Sequence, residues 1–171
     1  YGVSVLAMPR SILTEKISRR GRHLLQEYTI DSLEFLQASH IMTAPAQTLS
    51  GEMPIAQANL FFSEAPRHRS YPVVDGAGRL LGLVSRNDAL HWQRQDDAPE
   101  GTLAEHVSDA SLPVAHPDTP AGVIADLILA SGMGRIPIVD RSSRRVLGIV
   151  SRHDLLKARH QTQKEEVRSG R

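Results

Sequence analysis

Two stretches of this chain carry the same order of apolar runs and polar breaks. Tyr71 to Val74 and Leu80 to Val84 are short β-branched or aromatic runs, and Asp75-Gly76-Ala77-Gly78 between them supplies turn chemistry. The pattern predicts a β-hairpin. It returns at Ile136-Pro137-Ile138-Val139-Asp140, again with a second apolar run beyond a polar break. Pro72 and Pro137 open their first strands, where a missing N–H costs least. Each block then runs into nearly the same seven residues, GLVSRND from Gly82 to Asp88 and GIVSRHD from Gly148 to Asp154, where strand gives way to helix. The offset is 65 from Tyr71 to Ile136 and 66 from Gly82 to Gly148, so the second copy holds one extra residue between Asp140 and Gly148. An insertion of that kind belongs in a turn.

Helical spacing fills the segments between these blocks. A helix is expected from about Pro54 to Ser63, with Pro at an allowed first-turn position and Ile55, Ala58 and Phe62 along its buried face. Its counterpart starts after Thr119-Pro120, with Val123, Leu127 and Ala130 expected inside. A further helix is expected over Asp31 to Ala38, with Asp31 as N-cap and Glu34 three residues on. Trp92, at the end of the first block's helix, is expected to pack against the neighbouring repeat. Arg94 to Gly101 is a polar linker, and the polar tail after His160 is expected to fray. The chain thus divides into a linker over residues 1–37, repeats over 38–96 and 102–160, and a tail over 161–171.

Ser85 and Ser151 stand where strand becomes helix, with Asp88 and Asp154 three residues later. Ser-x-x-Asp in that place is a capping box, in which the two side chains satisfy free N–H groups at the helix start. The same geometry suits a ligand. A helix N-terminus directly after a strand presents free N–H groups and a positive dipole end to a phosphate, while a nearby carboxylate accepts hydrogen bonds from a ribose diol. Spacing does not separate these readings, and both can hold in one fold. Arg67-His68-Arg69 and Gly132-Met133-Gly134-Arg135 each precede a Pro-containing strand. Arg69 and Arg135 are the first candidates to neutralise a polyphosphate.

Composition narrows the function classes. With 171 residues, 40% of them hydrophobic, the chain can bury a core without a metal or a disulfide. A net charge of +1 argues against duplex DNA as partner. The basic run Arg19-Arg20-Gly21-Arg22-His23 lacks the interleaved aromatics of a nucleic-acid surface. Zero cysteines exclude disulfides and thiolate metal sites. The best apolar run, Val123 to Ala130, is short and broken by Asp126, so no membrane helix is expected. His153 and His160, seven apart, lack a third ligand and make a poor metal site. No P-loop, Gly-x-Gly-x-x-Gly, Gly-x-Ser-x-Gly or His-Glu-x-x-His motif is present, so no catalytic residue is assigned and no enzyme is expected. Starting at Tyr1 without an initiator methionine or a signal peptide, the sequence reads as a piece of something longer.

The doubled pattern, apolar-Pro-apolar-Val-Asp followed by Gly-x-Val-Ser-x-x-Asp, resembles the cystathionine-β-synthase (CBS) domain, which usually occurs as a tandem pair. The resemblance implies an α/β fold of two βαββα repeats related by pseudo-twofold symmetry, preceded by an extended or helical linker. His40-Ile41-Met42-Thr43 and Val107-Ser108 would be the opening strands, with a right-handed crossover to the Pro-containing strands. It also implies two pockets in the cleft between repeats, with AMP, ADP or ATP as regulatory ligand and no required cofactor. Ser85, Asp88, Ser151 and Asp154 then fall on the phosphate and ribose motif, Tyr71-Pro72 and Ile136-Pro137 beside the adenine, and Thr43 and Ser108 on the strands that line the pockets.

A second resemblance lies upstream. SILTEKISRRGRHLL, Ser11 to Leu25, with Lys16, Arg19, Arg20 and Gly21 carrying most of the likeness, is similar to the segment joining membrane and CBS portions in CLC chloride channels and chloride/proton exchangers. It implies a soluble module at the cytoplasmic face of a membrane, acting on the transport domain of the same polypeptide. It also implies a homodimer, through a helix surface that includes Leu90 and Leu155. A free-standing or enzyme-attached energy sensor, and a structural dimerisation module with empty pockets, are the alternatives that the sequence leaves open.

Overall fold

Both expected hairpins form. In the computed structural model, which describes residues 33–96 and 99–170, β2 (Ser70–Val74) pairs antiparallel with β3 (Leu80–Ser85), and β4 (Arg135–Val139) with β5 (Val146–Ser151). The two hairpins break register at equivalent places, Val73/Val74 and Ile138/Val139. The turns differ as the one-residue insertion requires. Asp75 Oδ1 accepts from the N–H groups of Ala77 and Arg79, whereas Asp140 Oδ2 accepts from the N–H and hydroxyl groups of both Ser142 and Ser143. Gly78 and Arg144 close the two turns with matching N–H bonds to Asp75 O and Asp140 O and positive φ of 80° and 57°, so the extra residue lies within Arg141 to Ser143.

Each hairpin runs directly into a helix: α3 (Arg86–Arg94) after β3 and α6 (Arg152–Ser169) after β5. Ahead of each hairpin lies a crossover helix, α2 (Ile55–Ser63) in the first repeat and α5 (Ala121–Ser131) in the second. Pro54 and Pro120 cap these helices at positions with no N–H to lose. On α2 the buried residues are Ile55, Ala58 and Phe62, as the spacing predicts. On α5 they are Ala121, Ile124 and Ile128, while Val123 and Ala130 are exposed and Leu127 only half-buried. The expected face is therefore wrong by one position. In AGVIADLILAS nearly every residue is apolar, so two i, i+4 ladders compete, and Asp126 at the exposed side is the one charged marker.

The segment leading into each repeat docks on the other repeat, which the sequence did not reveal. Gln37 bridges Pro120, and Thr102 bridges Pro54. Around these bridges Ala38 N–H donates to Thr119 O and Ala121 N–H to Leu36 O, matched by Leu103 N–H to Met53 O and Ile55 N–H to Gly101 O. These reciprocal bonds are the pseudo-twofold relation written in backbone contacts. Each hydrophobic core is accordingly composite. Ile55, Phe62, Tyr71, Val73, Val84 and Trp92 pack with Leu103, and Ile124, Ile136, Ile138 and Val150 pack with Leu33 and Ala38. At about 1.5 to 3 kcal/mol for each large apolar side chain removed from water, Leu103 and Leu33 bind the halves together. Trp92 meets the neighbouring repeat as expected, its ring centroid 6.0 Å from that of His106.

Four further expectations are corrected. The expected opening strands are nearly absent: His40 and Ile41 belong to a short helix, α1 (Ala38–Ile41), and only Thr43 pairs as a strand residue, while Val107 and Ser108 follow a second short helix, α4 (Leu103–His106), without strand pairing. The N–H groups of Gln37 and Thr102 are taken by side chains three residues on, His40 Nδ1 and Glu105 Oε2, and this starts a helical turn. The strand before the first crossover is β1 (Leu49–Ser50), parallel to β2. The helix expected over Asp31 to Ala38 does not reach Ala38, because the chain turns at Phe35 and Gln37 is tied to Pro120. Instead of fraying after His160, the tail continues α6 to Ser169, supported by hydroxyl bonds from Thr162 to Ala158 O and from Ser169 to Glu165 O. Leu155 is buried against the second core and offers no surface to a partner copy; Leu156 beside it is exposed. Lys16, Arg19, Arg20 and Gly21 lie outside the described residues.

Candidate functional site

The exchange of lead-in segments brings Thr43 to the second repeat and Ser108 to the first. Thr43 N–H and C=O pair with Ile149 O and N–H, which adds Thr43 to the edge of β5. The close approach needs Gly148, where a Cβ would lie 2.7 Å from Met42 Sδ and 2.9 Å from Thr43 O. Gly82 serves the equivalent contact: a Cβ there would lie 2.8 Å from Val107 Cβ and 2.9 Å from Ser108 N.

Both Ser-x-x-Asp boxes form. Ser151 Oγ accepts from Asp154 N–H at 3.2 Å, and Asp154 Oδ2 accepts from Ser151 N–H and Oγ–H at 2.8 Å each. Ser85 and Asp88 repeat this with distances of 3.2, 2.7 and 2.6 Å. In each acid one oxygen is consumed by the cap and the other is left for a partner. Asp154 Oδ1 accepts from the Thr43 hydroxyl at 3.3 Å. Ser108 does not copy this; its Oγ accepts from Ala110 N–H within its own loop.

Two cavities open at these helix starts. One, of about 750 Å³, is lined by Thr43, Ser151 and Asp154 together with Arg67, His68 and Arg152. The other, of about 530 Å³, is lined by Ser85, Asp88 and Ser108 together with Leu83, Leu112 and Met133. Both volumes lie within the usual range of small-molecule sites. Arg69, Ser70, Gly132, Gly134 and Arg135 line both, so the cavities meet at a common wall that carries two guanidinium groups.

Arg135 is fixed in that wall, with Nη1 donating to Ser70 O at 2.8 Å. Burial pulls its pKa below the ordinary arginine value, opposed by Tyr71 and Asp154, so it presents a partly desolvated cation. His68 is likewise held below the ordinary histidine value, first by burial and then by the charges of Arg135 and Arg67, with Asp154 pulling the other way. A bound anion would relieve the unfavourable positive crowding at this corner.

The structure gathers Thr43, Ser151, Asp154, Arg69 and Arg135 into one cavity, and Ser85, Asp88, Ser108, Arg69 and Arg135 into the other. It does not bring Tyr71, Pro72, Ile136 or Pro137 to either lining. All four are buried, Tyr71 and Ile136 within the two hydrophobic cores. Tyr71 stacks edge-on to Phe61 at 5.1 Å between centroids, and its hydroxyl accepts from His68 N–H at 3.0 Å. It positions the cationic loop rather than offering a stacking face. Arg152, inside the repeated heptad, and Ser111 and Leu112 are lining residues that sequence reasoning did not single out, and His153 was weighed only as a metal ligand. For Arg152 the signal was its place immediately after the capping serine; for Leu112 there was none. Among the described residues no group of three or more His, Asp or Glu is placed to hold a metal ion, and no helix is long and apolar enough to cross a membrane.

A family model for the CBS domain matches residues 38–94 and 104–161. No functionally curated protein matches the sequence. Among solved structures, the chain is similar to CBSX2 in complex with AMP, at 21% identity and a TM-score of 0.64, over 74% of this chain and 98% of that one. It is also similar to the CBS domain of a bacterial CNNM/CorC-family Mg2+ transporter in complex with ATP, at 18% identity and a TM-score of 0.62, over 80% and 97%. A third is the CBS domain pair of protein MJ0100 in complex with 5′-methylthioadenosine and S-adenosyl-L-methionine, at 24% identity and a TM-score of 0.59, over 71% and 94%.

Proposed function

Because this chain belongs to the CBS-domain family, carrying two copies in tandem, we propose that it is a regulatory module that binds an adenine nucleotide between its repeats. The observation that carries this reading is the cavity at the start of α6. There, the start of α6, the Asp154 oxygen that the cap does not use and four arginines face one space of nucleotide size. Three solved pairs of this fold hold adenine-containing ligands, which supports the same class here. In this reading Ser151 and the first turn of α6 meet a phosphate, Asp154 and Thr43 meet the ribose, and Arg69 and Arg135 neutralise further phosphates. Tyr71, Pro72, Ile136 and Pro137 shape the walls from behind. Calorimetric titration with AMP, ADP and ATP tests it: saturable heat with at least one is expected, and none at millimolar concentration would leave only a structural module.

The carrier we propose is a CLC-type chloride channel or exchanger, with the module on the cytoplasmic side and paired as a homodimer. The run from Ser11 to Leu25 supports this. The exposed apolar residues Leu60 and Leu90 on neighbouring helices, beside a shallow cleft lined by Phe62, Arg86 and Leu90, supply a surface for the second copy. Sequence upstream of Tyr1 is the test. A series of apolar spans is expected there, and their absence would favour a free-standing or enzyme-attached sensor.

A further inference from the structure

The two cavities are built from equivalent positions but do not carry equivalent charge. Ahead of β2 the chain reads Arg67-His68-Arg69; the matching positions ahead of β4 are Gly132-Met133-Gly134. The first loop faces the Asp154 cavity, and Met133 faces the Asp88 cavity. The helix starts differ in the same direction. Arg152 and His153 both line the Asp154 cavity, whereas of their counterparts Arg86 and Asn87 only the neutral Asn87 lines the Asp88 cavity. Arg86 points away, to the cleft beside Phe62 and Leu90.

The outcome is four arginines against one carboxylate in the larger cavity. In the smaller one it is two arginines against one carboxylate, and both arginines belong to the common wall. Among the described residues the smaller cavity has no cation of its own. In exchange it carries Leu83, Leu112 and Met133, none of which lines the larger one. Arginine forks recognise phosphate oxygens through charge-assisted hydrogen bonds, while an apolar lining without a free cation penalises a polyphosphate that must shed its water there.

We infer that the cavities divide their ligands by charge: the Asp154 cavity takes a nucleoside di- or triphosphate, and the Asp88 cavity takes an adenosine ligand without a polyphosphate tail. This rests on the nucleotide reading above and gives it a ligand class for each cavity. A consequence follows from the common wall. Once a polyphosphate engages Arg69 and Arg135, the same guanidinium groups cannot neutralise a second one across the wall, so a second polyphosphate is excluded while an uncharged adenosine is not.

Calorimetric titrations of the whole chain with ATP, AMP and adenosine test this. ATP is expected to bind once per chain, on the order of tenfold or more tighter than AMP. Raising salt should weaken ATP and leave adenosine nearly unchanged. Adenosine should still bind to ATP-saturated protein. Arg67→Gln should cut ATP affinity on the order of tenfold, and Met133→Arg, which places a cation in the smaller cavity, should raise the ATP stoichiometry from one to two. Two equal ATP sites in the wild type, equal affinity for ATP and AMP, displacement of adenosine by ATP, or an unchanged stoichiometry in Met133→Arg would each overturn the division by charge while the nucleotide reading stands. No heat with any of the three ligands would remove both.

Discussion

The hydroxyl of Thr43 donates to Oδ1 of Asp154 at 3.3 Å, across 111 residues of chain. Asp154 Oδ2 already caps the helix that Ser151 begins, so one carboxylate does structural work with one oxygen and faces the cavity with the other. The two readings of Ser-x-x-Asp are not rivals. Thr43→Val removes the hydroxyl without disturbing the cap. It is expected to weaken nucleotide binding by about 0.5 to 1.5 kcal/mol, the range for one neutral hydrogen bond, with little change in unfolding free energy. Chemical denaturation and calorimetry on the same samples separate these effects.

Gly148 and Gly82 are places where a methyl group has no room. Gly148→Ala would push a Cβ against Met42 and the carbonyl of Thr43, and Gly82→Ala against Val107 and the amide of Ser108. Each is expected to cost about 1 to 3 kcal/mol of stability, as overpacking against backbone does. Their effects on ligand should differ: Gly148→Ala displaces Thr43 and weakens the nucleotide, while Gly82→Ala acts on the smaller cavity. Urea unfolding of both variants, followed by ATP titration, checks the pairing.

Asp140 holds the tip of the second hairpin, and its pKa lies far below the ordinary carboxylate value of 3.8 because the hydroxyls and amides of Ser142 and Ser143 all donate to it. A depressed carboxylate contributes stability that is full above the unfolded value and is lost as pH falls toward the folded one. The wild type should therefore lose stability below about pH 4, and Asp140→Asn should lose less over the same window. Equal slopes of melting temperature against pH in the two proteins would remove Asp140 from the acid limb.

His68 gives the opposite coupling to ligand. Its pKa in the folded chain is below 6.5, so the stability it contributes is full above that value and falls as pH drops through it. A phosphate beside Arg67 and Arg135 would raise the His68 pKa, so nucleotide binding should take up protons and tighten as pH falls through the histidine range. Arg69, Arg152, His153 and Asp154 share the cavity with it. Titrations in buffers of different ionisation enthalpy, in the wild type and in His68→Gln, check whether the uptake belongs to His68: it should fall in the variant.

The hairpins, the capping boxes and the face of α2 were legible because each follows from residues close together in sequence. Asp75-Gly76 makes a turn wherever it stands, and Ser85 with Asp88 needs only a helix start. The face of α5 was not legible, since Val123 and Leu127 keep the same spacing as Ile124 and Ile128 within an almost wholly apolar helix. The reach of Thr43 to Asp154 and of Leu103 into the first core depends on the exchange of lead-in segments. That exchange is fixed by backbone bonds at Gln37, Pro54, Thr102 and Pro120 that no local pattern announces. Tyr71 was misread for a related reason. An aromatic beside a proline on a strand can face a ligand or the core, and Phe61 and Phe62 on α2 decide for the core.

Thermal unfolding with and without ATP, in the wild type and in Asp154→Asn, tests the central claim most directly. A ligand that binds only the folded state adds about 2.7 kcal/mol at a hundredfold excess over its dissociation constant. The wild-type melting point should therefore rise clearly. Asp154→Asn should lower the ligand-free melting point modestly, through the weakened cap at about 0.5 to 2 kcal/mol. It should also weaken binding by about 1 to 3 kcal/mol and so abolish or sharply reduce the ATP-dependent rise, while Asp88→Asn should reduce it less. A wild-type curve unmoved by millimolar ATP, ADP and AMP, or an Asp154→Asn protein that keeps the full rise, would contradict the account.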